Sequence, residues 1–161
     1  MASAAAFLLL AIALFLWNRN SPKQLYAEAT KTVYQERIYD KDIREGENRF
    51  ADLFEAGSYE EALEEAKRQY EQANEVQQLQ WKEREGFCYL ELQQWEEALR
   101  IFKELEGNDL WLKESNPALW YQSLAYLGKG DIEQCKEKLK AILVLPKHDY
   151  QVVAKEMLAD L

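Results

Sequence analysis

Gly57-Ser58-Tyr59-Glu60-Glu61-Ala62-Leu63 returns as Gln93-Gln94-Trp95-Glu96-Glu97-Ala98-Leu99, and again as Gly130-Asp131-Ile132-Glu133-Gln134-Cys135-Lys136. The bulky apolar residue steps from 59 to 95 to 132 and the small one from 62 to 98 to 135, intervals of 36 and then 37. A period in this range means stacked supersecondary units rather than one globular core. Stacked helical pairs make extended surfaces for partners, so the spacing points to a class of function as well as a fold.

Upstream of the repeats, residues 2–17 (ASAAAFLLLAIALFLW) carry no charge. As a helix they would span roughly 24 Å, slightly under the roughly 30 Å of a bilayer core. Local thinning or flanking residues can make up the difference. No basic segment precedes the run, and no small-x-small cleavage site lies between Leu16 and Pro22, which argues against a cleaved signal peptide. A retained transmembrane anchor over 1–20 is the reading taken. A signal peptide and a buried core helix are the alternatives.

All 29 acidic residues lie after residue 23, against 18 lysines and arginines, so this portion carries a net charge of −11. Phosphate backbones would repel it, which disfavours nucleic acid as a partner. Anionic lipid surfaces are disfavoured for the same reason. Cys88 and Cys135 fit no metal quartet and no redox motif. Both fall where the repeat wants a small buried side chain. A disulfide between them would need oxidising surroundings and fitting geometry.

Past the apolar run, Ser21, Pro22 and Gln24 form a helix start, with Ser21 as cap and Pro22 in the first turn. Leu25, Tyr26, Ala29, Val33 and Tyr34 then follow helical spacing over 22–37. Residues 21–45 thus read as a connecting helix and turn, and 46–161 as the repeat domain. Three pairs are expected at 46–56 with 59–74, 78–92 with 95–106, and 117–128 with 131–145, and a last helix at 149–160. Ser58 should cap its helix with Glu61 at the reciprocal position. Val152, Val153, Met157 and Leu158 should face inward on the last helix, with Lys155, Glu156 and Asp160 outward. No alternating strand pattern of useful length occurs, so the portion after the apolar run is expected to be all-helical.

These residues resemble the tetratricopeptide repeat. The third unit carries the likeness best, with Trp120, Tyr126, Gly130-Asp131-Ile132, Cys135 in the alanine position, Leu139, Ile142 and Pro146. The second has Trp81, Gly86, Tyr89, Trp95, Ala98 and Phe102, with Gln93 in place of the turn glycine. The first keeps Gly57, Tyr59 and Ala62, with Phe50 where a small residue is usual. The layout also resembles the membrane-anchored repeat proteins of Bacteroidetes-type bacteria. The resemblance implies an all-α protein: an N-terminal transmembrane helix, a right-handed α-solenoid of three helix pairs, and a C-terminal capping helix.

In that family the first helices of the pairs line a concave groove. The resemblance places Phe54, Phe87, Leu90, Trp120, Leu124 and Leu127 there, with Glu47, Glu83, Glu55 and Glu91 around them. Aromatic anchors would hold an extended or helical peptide, and the carboxylates would select a basic or polar one. The alternative is that these side chains pack between helices or under helix 22–37. The basic clamp with which some relatives grip a terminal carboxylate is absent, since Glu47, Ala51, Glu83, Phe87, Trp120 and Leu124 occupy its positions.

Catalysis finds little support. His148 is the only histidine, and capping or solvent exposure is the expected role. The Glu-Glu pairs at 60–61, 64–65 and 96–97 read as solvated helix faces. No phosphate loop, dinucleotide fingerprint or zinc spacing occurs. No cofactor or metal is expected. The sequence therefore reads as a non-enzymatic, membrane-tethered scaffold that recruits a protein or peptide, with room for an oligomer or larger complex. The alternative is a structural subunit of a membrane assembly or filament. Arg19 and Lys23 favour a cytoplasmic repeat domain and the Bacteroidetes-type layout a periplasmic one, which leaves the side open.

Overall fold

A computed structural model describes residues 21–38, 45–108, 117–146 and 148–161, with backbone alone at 32, 35–37 and 45–48. Eight helices occur among them: α1 (Pro22–Arg37), α2 (Glu45–Glu55), α3 (Tyr59–Gln72), α4 (Glu75–Glu91), α5 (Trp95–Glu106), α6 (Pro117–Lys129), α7 (Ile132–Val144) and α8 (Gln151–Asp160). The chain is all-α over this range, with no strand among the described residues. The apolar run 2–17 lies outside them. No helix among the described residues is long and apolar enough to cross a membrane.

The three motif copies close three hairpins in the same way. Gly57, Gln93 and Gly130 take left-handed backbone, with φ of 75°, 57° and 84°. The amide one residue later, on Ser58, Gln94 and Asp131, donates to the carbonyl five residues back on Leu53, Tyr89 and Tyr126, at 2.9 Å each time. The amides of the turn residues donate to Phe54, Leu90 and Leu127. This pair of bonds satisfies carbonyls that a helix end otherwise leaves without partners. The chain then re-enters a helix at once, and Ala62, Ala98 and Cys135 on its first turn are fully buried. Only a small side chain lets the two helices approach so closely.

From α2 to α8 each helix packs on the next in sequence. An aromatic seam runs through the middle: Phe87 of α4 meets Tyr121 of α6 edge-on at 5.0 Å, and Phe102 of α5 meets it at 5.1 Å. Buried Cys88 and Cys135 are free thiols within this core. Burial pushes the Cys135 thiol up to about 12 and that of Cys88 well above its ordinary value, so neither is a ready nucleophile.

Two helix starts differ from expectation. Helix α4 begins at Glu75 because Asn74 and Gln77 cap it reciprocally, which adds most of a turn. Ser58, expected to cap α3, makes no side-chain capping bond. Its backbone amide is already committed to the turn, and its own φ of −83° and ψ of 63° lie outside the extended region a capping residue prefers. Ser21 does cap α1, accepting from the Gln24 amide at 3.3 Å.

Helix α1 packs on α6, although roughly 90 residues of sequence separate them. Leu25, Val33 and Tyr34 along it, and Ile38 just after it, are buried in the common core. Thr30 folds its hydroxyl back onto the Tyr26 carbonyl and so spends its polarity locally.

Candidate partner-binding site

The residues expected to line a groove are brought to one region, and most are buried. Phe54, Phe87, Leu90, Trp120, Leu124 and Leu127 are each at most 3% exposed. Glu83 is also buried and accepts a hydrogen bond from the Tyr121 hydroxyl at 2.7 Å, which ties α4 to α6. Glu47 lies on α2, and its side chain falls outside the described residues. An open channel floored by these aromatic residues is therefore not what the fold holds; they form core.

Helix α1 is the main reason. Tyr34 lies edge-on to Phe54 at 4.8 Å and to Phe87 at 5.5 Å, covering both. Its hydroxyl donates to Glu91 at 2.6 Å. Burial, together with the neighbouring Tyr26 and Glu91, raises the Tyr34 pKa well above the ordinary phenol value. At the other end Tyr26 meets Trp95 edge-on at 5.6 Å. Trp120 is covered separately: Tyr150, just before α8, stacks on it at 5.3 Å with the rings 4° from parallel.

Three recesses among the described residues border α1. One recess of about 510 Å³ lies between α1 and the α2–α3 turn, with Thr30, Tyr34, Phe54, Tyr59 and Glu91 in its walls. A smaller one of about 240 Å³ holds Tyr26, Leu90, Trp95 and Leu127. The third, about 580 Å³, lies between α1, α6 and α8. Leu25, Ala29, Val33, Trp120, Tyr150 and Met157 supply its apolar lining. Glu28, Asp149, Glu156 and Asp160 add carboxylates, and none of the described residues lining it is basic.

No protein family, curated protein or solved structure compared with this chain matches it.

Sequence reasoning missed the α8 wall of the large cleft because it set the register of that helix wrongly. Val152 is 68% exposed and Val153 36% exposed, where both were expected inward. The buried stripe is instead Tyr150, Ala154 and Met157. The Tyr150–Trp120 stack fixes this rotation, because the larger aromatic surface outweighs two valines. The spacing 150, 154, 157 is helical, but 153, 157 is equally so, and the sequence did not choose between them.

Two other expectations need adjustment. Of the two roles expected for His148, exposure fails because it is buried, whereas a capping-type bond is present: its Nδ1 accepts the Tyr150 amide at 3.2 Å at the start of α8, holding the turn that aims Tyr150 at Trp120. Glu60, Glu61, Glu64, Glu96 and Glu97 are solvated, but Glu65 is only 4% exposed. Arg68 donates to Glu65 through Nε at 3.0 Å and Nη2 at 2.5 Å, and Gln69 donates at 2.8 Å. These bonds hold its carboxyl below the usual carboxylate range. Among the described residues no group of three or more histidines, cysteines or acids could hold a metal ion. The described surface thus offers shape, apolar area and negative charge.

Proposed function

We propose that this chain is a membrane-tethered helical-repeat scaffold that holds a partner protein beside a bilayer. The observation that carries the reading is the identical closure of three hairpins at Gly57, Gln93 and Gly130. Three like units, each packed on the next, suit a tetratricopeptide-like right-handed α-solenoid with α8 as its terminal cap. In this reading residues 2–17 anchor the array, and tethering raises the local concentration of membrane partners so that modest affinity suffices. Binding without chemistry agrees with a surface built from apolar recesses and solvated carboxylates. Helix α1 takes the place of a ligand across the middle of the first-helix face, so partners engage its flanks.

The test has two arms on the full chain in its own membranes. Alkaline carbonate should leave the chain in the membrane fraction, and release into the supernatant would remove the tether. Photoreactive side chains at exposed positions on α3 and α8 should capture one defined protein. Absence of any specific capture would remove the scaffold.

Leu143, Val144 and Val152 favour a second reading, since all three are exposed apolar residues at the C-terminal end of the array. Such an edge suits a structural subunit packed into a larger membrane assembly. An obligate oligomer in mild detergent, broken by Val144→Lys, would favour that reading over recruitment.

A further inference from the structure

The cleft between α1, α6 and α8 has two long walls. On α1 the lining residues Leu25, Glu28, Ala29 and Val33 share one helical face, and from first to last they run roughly 12 Å. On the other side Tyr150, Val153, Met157 and Asp160 share a face of the last helix and run roughly 15 Å. Trp120 forms part of the lining. It is 2% exposed, and its indole N–H has no hydrogen-bond partner among the described residues. A trough two to three turns long, about 580 Å³ in volume, accepts the side chains along one face of a third helix.

The charges decide which helix. Glu28, Asp149, Glu156 and Asp160 are exposed around the trough, and the chain as a whole is at −9. An acidic peptide, a nucleic acid or an anionic lipid surface meets repulsion here. We propose that this cleft binds an amphipathic helix of a partner protein, its apolar stripe seated on the accessible wall residues Ala29 and Val153 above the buried floor of Leu25, Val33, Trp120 and Met157, and its flanking lysines or arginines paired with Asp149, Glu156 and Asp160. The inference rests on the scaffold reading and names the chemistry of the partner that reading requires. Strand addition is not available, since no strand edge occurs among the described residues.

The probe is a fluorescein-labelled peptide of leucine and lysine, about four helical turns long, titrated against the full chain in mild detergent. A glutamate-for-lysine version is the control. The lysine peptide should bind saturably and the glutamate peptide should not. Glu156→Gln with Asp160→Asn should weaken binding about tenfold or more, and added salt should weaken it further. Val153→Arg, at a half-exposed wall position, should abolish it while the helical circular dichroism is kept. Glu60→Gln with Glu61→Gln, on solvated α3, should leave it unchanged.

Equal binding of both peptides, or equal effects of the two neutralised pairs, would overturn the proposal. Two further outcomes would also overturn it. Photocrosslinks from position 153 into residues 2–17 of the same chain would assign the cleft to that segment. A dimer that Val153→Arg returns to monomer would assign it to a second copy. Failure here is separable from failure of the scaffold reading. A membrane partner captured only away from α8 keeps the scaffold and removes the cleft. Charge-dependent peptide binding without any membrane partner does the reverse.

Discussion

The Tyr34 hydroxyl donates to the Glu91 carboxylate at 2.6 Å across 57 residues of sequence. That bond fastens α1 to α4 and holds the Tyr34 ring over Phe54 and Phe87. Tyr34→Phe keeps the ring and removes the donor, leaving a half-buried carboxylate short of a partner. The expected loss is about 1–2 kcal/mol of stability, since bonds to charged groups stand at the upper end of the usual range and partial solvent access reduces the penalty. Hydrogen exchange should quicken in 22–37 while α5 to α7 keep their protection, because α1 is joined to the array only by tertiary contacts. Uniformly faster exchange would show that α1 is not a separable element.

Alkali should loosen the same contact. Burial raises the pKa of Tyr34, and of Tyr26 beside it, above the unfolded value of 10.0. A raised folded value favours the protonated native state, so this stability is fully present below pH 10 and is lost as pH rises from there toward the folded values. Each tyrosine adds a slope of about 1.4 kcal/mol per pH unit within that window. Denaturant midpoints from pH 9 to 11 should fall more gently for Tyr34→Phe than for the parent chain.

Acid acts on Glu65 with the opposite sign. Its carboxyl is held below the ordinary 4.5, first by the Arg68 hydrogen bond. This stability is present above the unfolded value and is lost as pH falls through the folded one. Glu65→Gln should therefore cost about 1–3 kcal/mol at pH 7. The gap between variant and parent should narrow as pH falls below the unfolded value of 4.5. A gap independent of pH would show that shape, not charge, matters there.

Gln93 holds φ at 57° where the two sister hairpins use glycine. A side chain in the left-handed region costs on the order of 1 kcal/mol. Gln93→Gly should raise stability, read from the thermal midpoint, by only a few tenths of a kcal/mol, because the extra chain entropy of glycine offsets most of the relief. Gly57→Ala and Gly130→Ala should each lower it by about 1 kcal/mol, although neither new Cβ meets an atom within 4 Å. The effect is conformational, so no second substitution nearby should rescue it.

Gly86 and Gly128 matter for space instead. A Cβ at Gly86 would come to 2.5 Å from Phe102 Cε1, and one at Gly128 to 2.5 Å from Trp95 Cη2. Gly86→Ala should cost about 1–3 kcal/mol through overpacking. Combining it with Phe102→Leu should cost less than the sum of the two single changes.

The hairpins were legible in the sequence because their causes are local. A left-handed turn residue, backbone bonds reaching three and five residues back, and a small residue five places on are all written within about ten positions. The position of α1 was not legible, although its start, its end and its apolar face were. A helix with a buried stripe can dock on any matching surface, and nothing near 22–37 names α6. The α8 register failed likewise: Val152 and Val153 looked as apolar as Tyr150 and Met157, and only contact with Trp120 told them apart.

By itself, then, the sequence determined an all-helical array of three like hairpins, because hydrogen bonds between near neighbours and helical periodicity suffice to build them. Only tertiary structure decided that Phe54, Phe87 and Trp120 are core and that the open cleft runs between α1 and α8. Those outcomes depend on which distant aromatic surfaces meet, and that competition is settled by total buried area across the whole chain.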